Sequence, residues 1–203
     1  MGESLLKALV NRPPRNLEHL RIVNFGISHD KLPLESLKPV IENLRSLSIC
    51  SDVKQRGDAT TESGLYSALR YARKLRELKI EGATDAPQTS FNHLLPEAPL
   101  RALDISGLFF TFDGICEISK FAKTLTTLYI THNWLTDGTW AEFIETLWDF
   151  PLLNNGLLGP NYYVKDTMTT AGQEVTDEQE CHSFHKKKMT AREAWVSNDT
   201  LEY

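Results

Sequence analysis

Apolar residues recur along this chain in one short template. Leu17-x-x-Leu20-x-Ile22 returns as Leu44-x-x-Leu47-x-Ile49, Leu75-x-x-Leu78-x-Ile80, Leu100-x-x-Leu103-x-Ile105 and Leu125-x-x-Leu128-x-Ile130. A degraded sixth copy reads Leu153-x-x-Gly156-x-Leu158. Successive copies begin 27, 31, 25, 25 and 28 residues apart. Periods in this range mark stacked repeats, in which one unit cannot bury its apolar face alone. The second and third apolar positions are two residues apart, so they share one face of a short strand. The residues between and beside them take the other face.

Between the strands the apolar period becomes helical. Leu37, Val40, Ile41 and Leu44 stand at i, i+3, i+4 and i+7, and Leu65, Ala68, Leu69 and Ala72 repeat that spacing. Ile115, Ile118 and Ala122 form a shorter stripe, as do Phe143, Ile144 and Leu147. Each predicts an amphipathic helix face. Ser63-Gly64 and Asp137-Gly138 precede two of these stripes, and Pro99 and Pro151 stand at or near helix ends. The chain then divides into four parts. Residues 1–16 read as a capping helix or a partial repeat, and residues 17–163 as about six repeats. Residues 164–188 are polar, almost without large aliphatics, and read as a mobile insertion loop. Residues 189–203 predict a helix over Met189–Val196, with Thr190 and Glu193 spaced as a capping box, followed by the opening of a further strand at Leu201-Glu202-Tyr203.

The template resembles the leucine-rich repeat superfamily, in the longer intracellular type found in ribonuclease-inhibitor-like and F-box-associated proteins. The fifth copy, Leu125 to Leu135, matches best, with the family's Asn at Asn133. In the sixth copy Asn161 and Tyr163 occupy the matching late positions. Phe25, Asp52, Ala83 and Leu108 hold the Asn position in the first four copies. The resemblance implies an α/β horseshoe solenoid, with parallel strands on the concave side and helices on the convex side. It also implies a protein–protein interaction module, such as the substrate-binding repeat arm of an F-box-type ubiquitin ligase receptor whose F-box is not in this chain. A cytoplasmic scaffold or small-GTPase regulator of the same repeat type is the alternative. Leu32-Pro33-Leu34-Glu35 looks like the opening of an F-box, but it lies between two repeat strands and reads as a loop-to-helix entry.

Composition narrows the function further. The formal net charge of −5 argues against a basic nucleic-acid footprint. No apolar run approaches the roughly 18 residues of a membrane span, and the N-terminal apolar stretch is too short for a secretory leader. Cys50, Cys116 and Cys181 are three scattered cysteines and no disulfide framework, which fits a cytoplasmic or nuclear protein. No nucleophile elbow, zinc-protease, P-loop or dinucleotide motif is present, so neither catalysis nor a cofactor is expected. Cys181-His182-x-x-His185 offers at most three donors and no second pair, so it reads as exposed polar chain and no metal is expected. The expected partner is a protein, and the chain is expected to be a monomer.

The strand face that the core does not use is the candidate binding surface. It carries His19 and Arg21 from the first copy, and Ser46 and Ser48 from the second. Glu77, Lys79 and Glu81 come from the third copy, and Asp104 and Ser106 from the fourth. Tyr129 and Thr131 come from the fifth, with His132 and Trp134 just beyond. Arg, Tyr and Trp are frequent interface anchors. Trp140 and Trp148 flank a predicted helix and read as packing residues.

Overall fold

The computed structural model describes residues 8–9, 11–12, 14, 16–23, 34–50, 68–81, 90–163, 180–185 and 195–196. Each full copy of the template forms one five-residue strand. These are β1 (His19–Val23), β2 (Ser46–Cys50), β3 (Glu77–Glu81), β4 (Ala102–Ser106) and β6 (Thr127–Thr131). The sixth copy opens β8 (Asn155–Tyr163), and short strands β5 (Phe109–Phe110) and β7 (Trp134–Leu135) follow β4 and β6. The order is β1-β2-β3-β4-β6-β8-β7-β5, parallel at every step. This eight-strand parallel sheet is curled into a half-barrel, and the molecule is α/β.

Register follows the template residue for residue. Leu20, Leu47, Leu78, Leu103, Leu128 and Gly156 lie side by side, and so do Ile22, Ile49, Ile80, Ile105, Ile130 and Leu158. A backbone ladder locks the stack just before the strands. The Glu18 carbonyl accepts the N–H groups of Arg45 and Ser46, at 2.7 and 3.0 Å. The carbonyl of Arg45 takes those of Arg76 and Glu77, and that of Arg76 takes those of Arg101 and Ala102. Arg101 serves Thr126 and Thr127 in the same way, and Thr126 serves Asn154 and Asn155. The same residue of every repeat thus makes the same two bonds to the next repeat.

The first template leucine supports this ladder from the core. Leu44, Leu75, Leu100 and Leu125 are fully buried. They pack in one continuous cluster with the strand leucines and isoleucines. Each such side chain contributes roughly 1.5–3 kcal/mol by leaving water, but only against its neighbours. Burial weakens toward the first repeat, where Leu17, Leu20 and Ile22 are half-buried.

The described parts of the segments between strands are largely helical. They include α1 (Leu34–Ile41), α2 (Ser90–His93), α3 (Phe112–Cys116) and α4 (Trp140–Thr146). Pro39 lies inside α1, and 3-10 turns continue α3 and α4 over Glu117–Phe121 and Leu147–Asp149. Val40, Ile41, Ala68, Leu69, Ala72, Ile115, Ile118, Phe143 and Leu147 from the expected stripes are buried. Thr139 caps α4 through a capping box with Glu142. Gly138 supplies the left-handed residue before it, at φ 68°, and a Cβ there would meet Phe112 at 2.7 Å.

Two expectations beyond the sixth repeat are corrected. Within the segment read as a loop, Glu180–His185 forms β9, antiparallel to β8, with Asn155 opposite His185 and Leu158 opposite His182. Within the segment read as a helix, Trp195–Val196 forms β10, antiparallel to β9. The parallel ladder ends on β8, whose free N–H and C=O groups favour a further strand, and Trp and Val suit a pleated surface. Residues 164–179 and 186–194, and the terminal strand expected at 201–203, lie outside the described residues.

Candidate functional site

Strand alternation puts every second side chain of the sheet on the face away from the core. Three rows run across the strands there. The first is His19, Ser46, Glu77, Ala102, Thr127 and Asn155, and the second is Arg21, Ser48, Lys79, Asp104, Tyr129 and Leu157. The third is Val23, Cys50, Glu81, Ser106 and Thr131. The strand residues singled out from the sequence all fall in these rows, and each is exposed or half-buried. Asn155 and Leu157 belong to the same face and were missed. The degraded sixth copy already carried the signal, because both flank Gly156 at alternate positions.

Charge gathers on β3 and β4. Lys79 Nζ donates to Asp104 Oδ2 at 2.9 Å and lies 3.4 Å from Glu81 Oε2. The hydrogen bond that Lys79 donates to Asp104 is the main reason the Lys79 pKa is raised above the usual lysine value, with partial burial opposing it. Cys50 is almost enclosed and directs its Sγ to Glu81 Oε2 at 3.6 Å. Farther along, the described side chains of this face on β6 and β8 carry no charge. Asn155 Nδ2 donates to the Tyr129 hydroxyl at 3.1 Å, and Leu157 is 39% exposed. Gly159 lies against Thr131, and a Cβ there would meet Thr131 Cγ2 at 2.7 Å.

The strands β4, β6 and β8 run into turns that are bonded from repeat to repeat. Asn133 and Asn161 are the buried polar residues here. Asn133 Oδ1 accepts the Leu108 N–H at 3.0 Å, and its Nδ2 donates to the Ile105 carbonyl at 3.1 Å. Asn161 repeats the pattern, accepting the Asn133 N–H and donating to the Ile130 carbonyl. Leu108, at the same repeat position, is buried, and its N–H is satisfied by the next repeat.

His132, one residue earlier, has φ 56°, and Gly107 at the corresponding position has φ 74°. The His132 side chain is exposed, and its Nδ1 lies 3.3 Å from the Tyr162 hydroxyl. Trp134 is sandwiched between Phe109 and Tyr162, with ring centroids 4.8 and 5.2 Å away. Both faces of the Trp134 indole are therefore covered, and only its edge is free to meet a partner. Phe109 and Tyr162 were missed in the sequence, although they stand 25 residues before and 28 after Trp134. Trp140 is buried and donates to the Tyr162 carbonyl, as expected of a packing residue, whereas Trp148 is 43% exposed.

Away from the sheet face, Lys120 donates to the Phe91 carbonyl and to Glu117, and stands over the Phe121 ring. Burial lowers its pKa, while burial raises that of nearby Cys116. Among the described residues no group of three or more His, Cys, Asp or Glu could hold a metal ion. Among them, too, no helix is long and apolar enough to cross a membrane. No protein-family model, curated protein or solved structure matches the chain.

Proposed function

We propose that this chain is a non-enzymatic protein-interaction module, a leucine-rich-repeat horseshoe. In this reading the face bearing Arg21, Lys79, Asp104 and Tyr129 is concave and the short helices cover the convex side. The observation that supports it is the register. Six strands hold side chains that the core does not need in straight rows across one curled sheet. Solenoids use such extended surfaces for binding. By resemblance, the nearest biological context is the substrate-binding arm of an F-box-type ubiquitin ligase receptor in the cytoplasm or nucleus.

Site-directed photo-crosslinking in cells tests the reading. A crosslinking residue at Tyr129 should capture a discrete protein partner, and one at Trp148 should not. Equal capture from both positions, or none from Tyr129, overturns it. Recovery of a ubiquitin-ligase adaptor in the same complexes supports the F-box context, and recovery of a small GTPase replaces that context with the regulator.

A further inference from the structure

On the reading just proposed, the face also specifies what kind of segment it takes. Glu77, Glu81 and Asp104 stand on adjacent strands with Lys79 among them, so three carboxylates against one ammonium leave two negative charges. Glu77 is exposed and has no ion-pair partner among the described residues. Arg21 is two strands away, roughly 10 Å at about 4.8 Å per strand, which is about one Debye length at physiological salt. Arg76 and Arg101, exposed just before β3 and β4, offset part of that excess, but neither forms an ion pair with Glu77 among the described residues. On the other side of Asp104 the same row continues into Tyr129 and then Leu157, a large aliphatic side chain left 39% exposed on an uncharged stretch. Interface centres are depleted of charge and enriched in aromatic residues, and charged residues surround them.

We propose that the partner is an extended protein segment with one Lys or Arg and one large apolar side chain four positions apart. The basic group would meet Glu77, which Lys79 leaves unpaired, with Asp104 diagonally beside it on the next strand, and the apolar group would rest on Leu157 and Tyr129. The spacing comes from the register. From β3 to β8 is three strand steps, roughly 14 Å. Residues i and i+4 of an extended chain lie on one side of it, roughly 13 Å apart. A segment crossing the strands can thus satisfy both ends at once, and charge complementarity sets its direction.

The test is selection of displayed random peptides on the whole immobilised chain, followed by anisotropy titration of the enriched peptides. Glu77→Lys and Leu157→Asp serve as variants, both at exposed positions and both checked by thermal melts. The expected result is enrichment of a basic and a large apolar residue at i and i+4. Each variant should then weaken binding by about tenfold or more, and rising salt should weaken the wild-type complex. Peptides without that pair whose binding is still lost in Leu157→Asp overturn the partner chemistry and leave the binding face standing. Peptides indifferent to both variants, or no enrichment at all, overturn the face as well.

Discussion

Two adjacent residues, His132 and Asn133, act on stability in opposite directions. Asn133 is fully buried, and its side chain satisfies the Leu108 N–H and the Ile105 carbonyl. Asn133→Ala leaves those groups without partners in a site closed to water. At about 1–3 kcal/mol for each of the two orphaned groups, the loss should be roughly 2–6 kcal/mol. A denaturant midpoint within error of the wild type would refute that role. His132 is the reverse case. A non-glycine residue in the left-handed region costs about 1–2 kcal/mol, and its exposed contact to Tyr162 returns little. Gly107 occupies the equivalent place with no Cβ. After the extra chain entropy lost by glycine, about 0.5–1 kcal/mol, His132→Gly should gain roughly 0.5–1 kcal/mol. A fall in melting temperature would show that the imidazole earns its place within the fold. The Asn position was legible at Asn133 and Asn161 because the template marks it. How Leu108 manages without an amide was not, because its partner comes from the next repeat.

Strands and helices were not equally readable. Strand faces obey a period of two that repeats across neighbours, so five copies of one template placed β1, β2, β3, β4 and β6 and their exposed residues, whereas β5, β7, β9 and β10 carry no copy of it. Leu103 illustrates the consequence. It is fully buried between Leu78 and Leu128, and Leu103→Ala should cost roughly 2–5 kcal/mol through lost transfer energy and a cavity. An unchanged calorimetric melt would break the register. The helices were anticipated only as apolar stripes. The 3-10 turns that continue α3 and α4 arise from fitting the connections between β4, β6 and β8, whose template copies start 25 and 28 residues apart, and local propensity does not encode that fit. The ion pairs across β3 and β4 depend on pairing between repeats. The raised Lys79 pKa means that its pairing stabilises the fold fully below the unfolded lysine pKa, about 10.4. That contribution is lost as pH rises through the higher folded value. Because the Lys79 side chain is 41% exposed, its effect should stay under about 1 kcal/mol. Stability measured against pH should show the wild type converging on Lys79→Met only in strongly alkaline solution. A difference that instead disappears on acidification through neutrality would assign it to another group.

In a stack whose units touch only their neighbours, the ends decide how the whole behaves. Here the ends differ. At β1 the template residues Leu20 and Ile22 are half-buried and Val23 is 53% exposed, whereas Leu103, Ile105, Leu128 and Ile130 in β4 and β6 are fully enclosed. At the other end β8 does not present a bare edge, because β9 pairs with it from Asn155 to Asn161 across an irregularity after Leu158. An unpaired, flat edge is a template for adding strands from other molecules, so β9 and β10 act as a lid on the growing direction of the sheet. Deleting residues 180–203 removes that lid without touching any template position. The truncated chain should keep the circular-dichroism signature of the curled sheet but sediment as concentration-dependent oligomers. Replacing Leu157 with Lys on the β8 surface should reduce that association, since edge lysines oppose strand addition. A truncated chain that stays monomeric and melts with the full-length protein would mean that β8 needs no covering strand. The antiparallel pair would then be an appendage of the curled sheet rather than its cap.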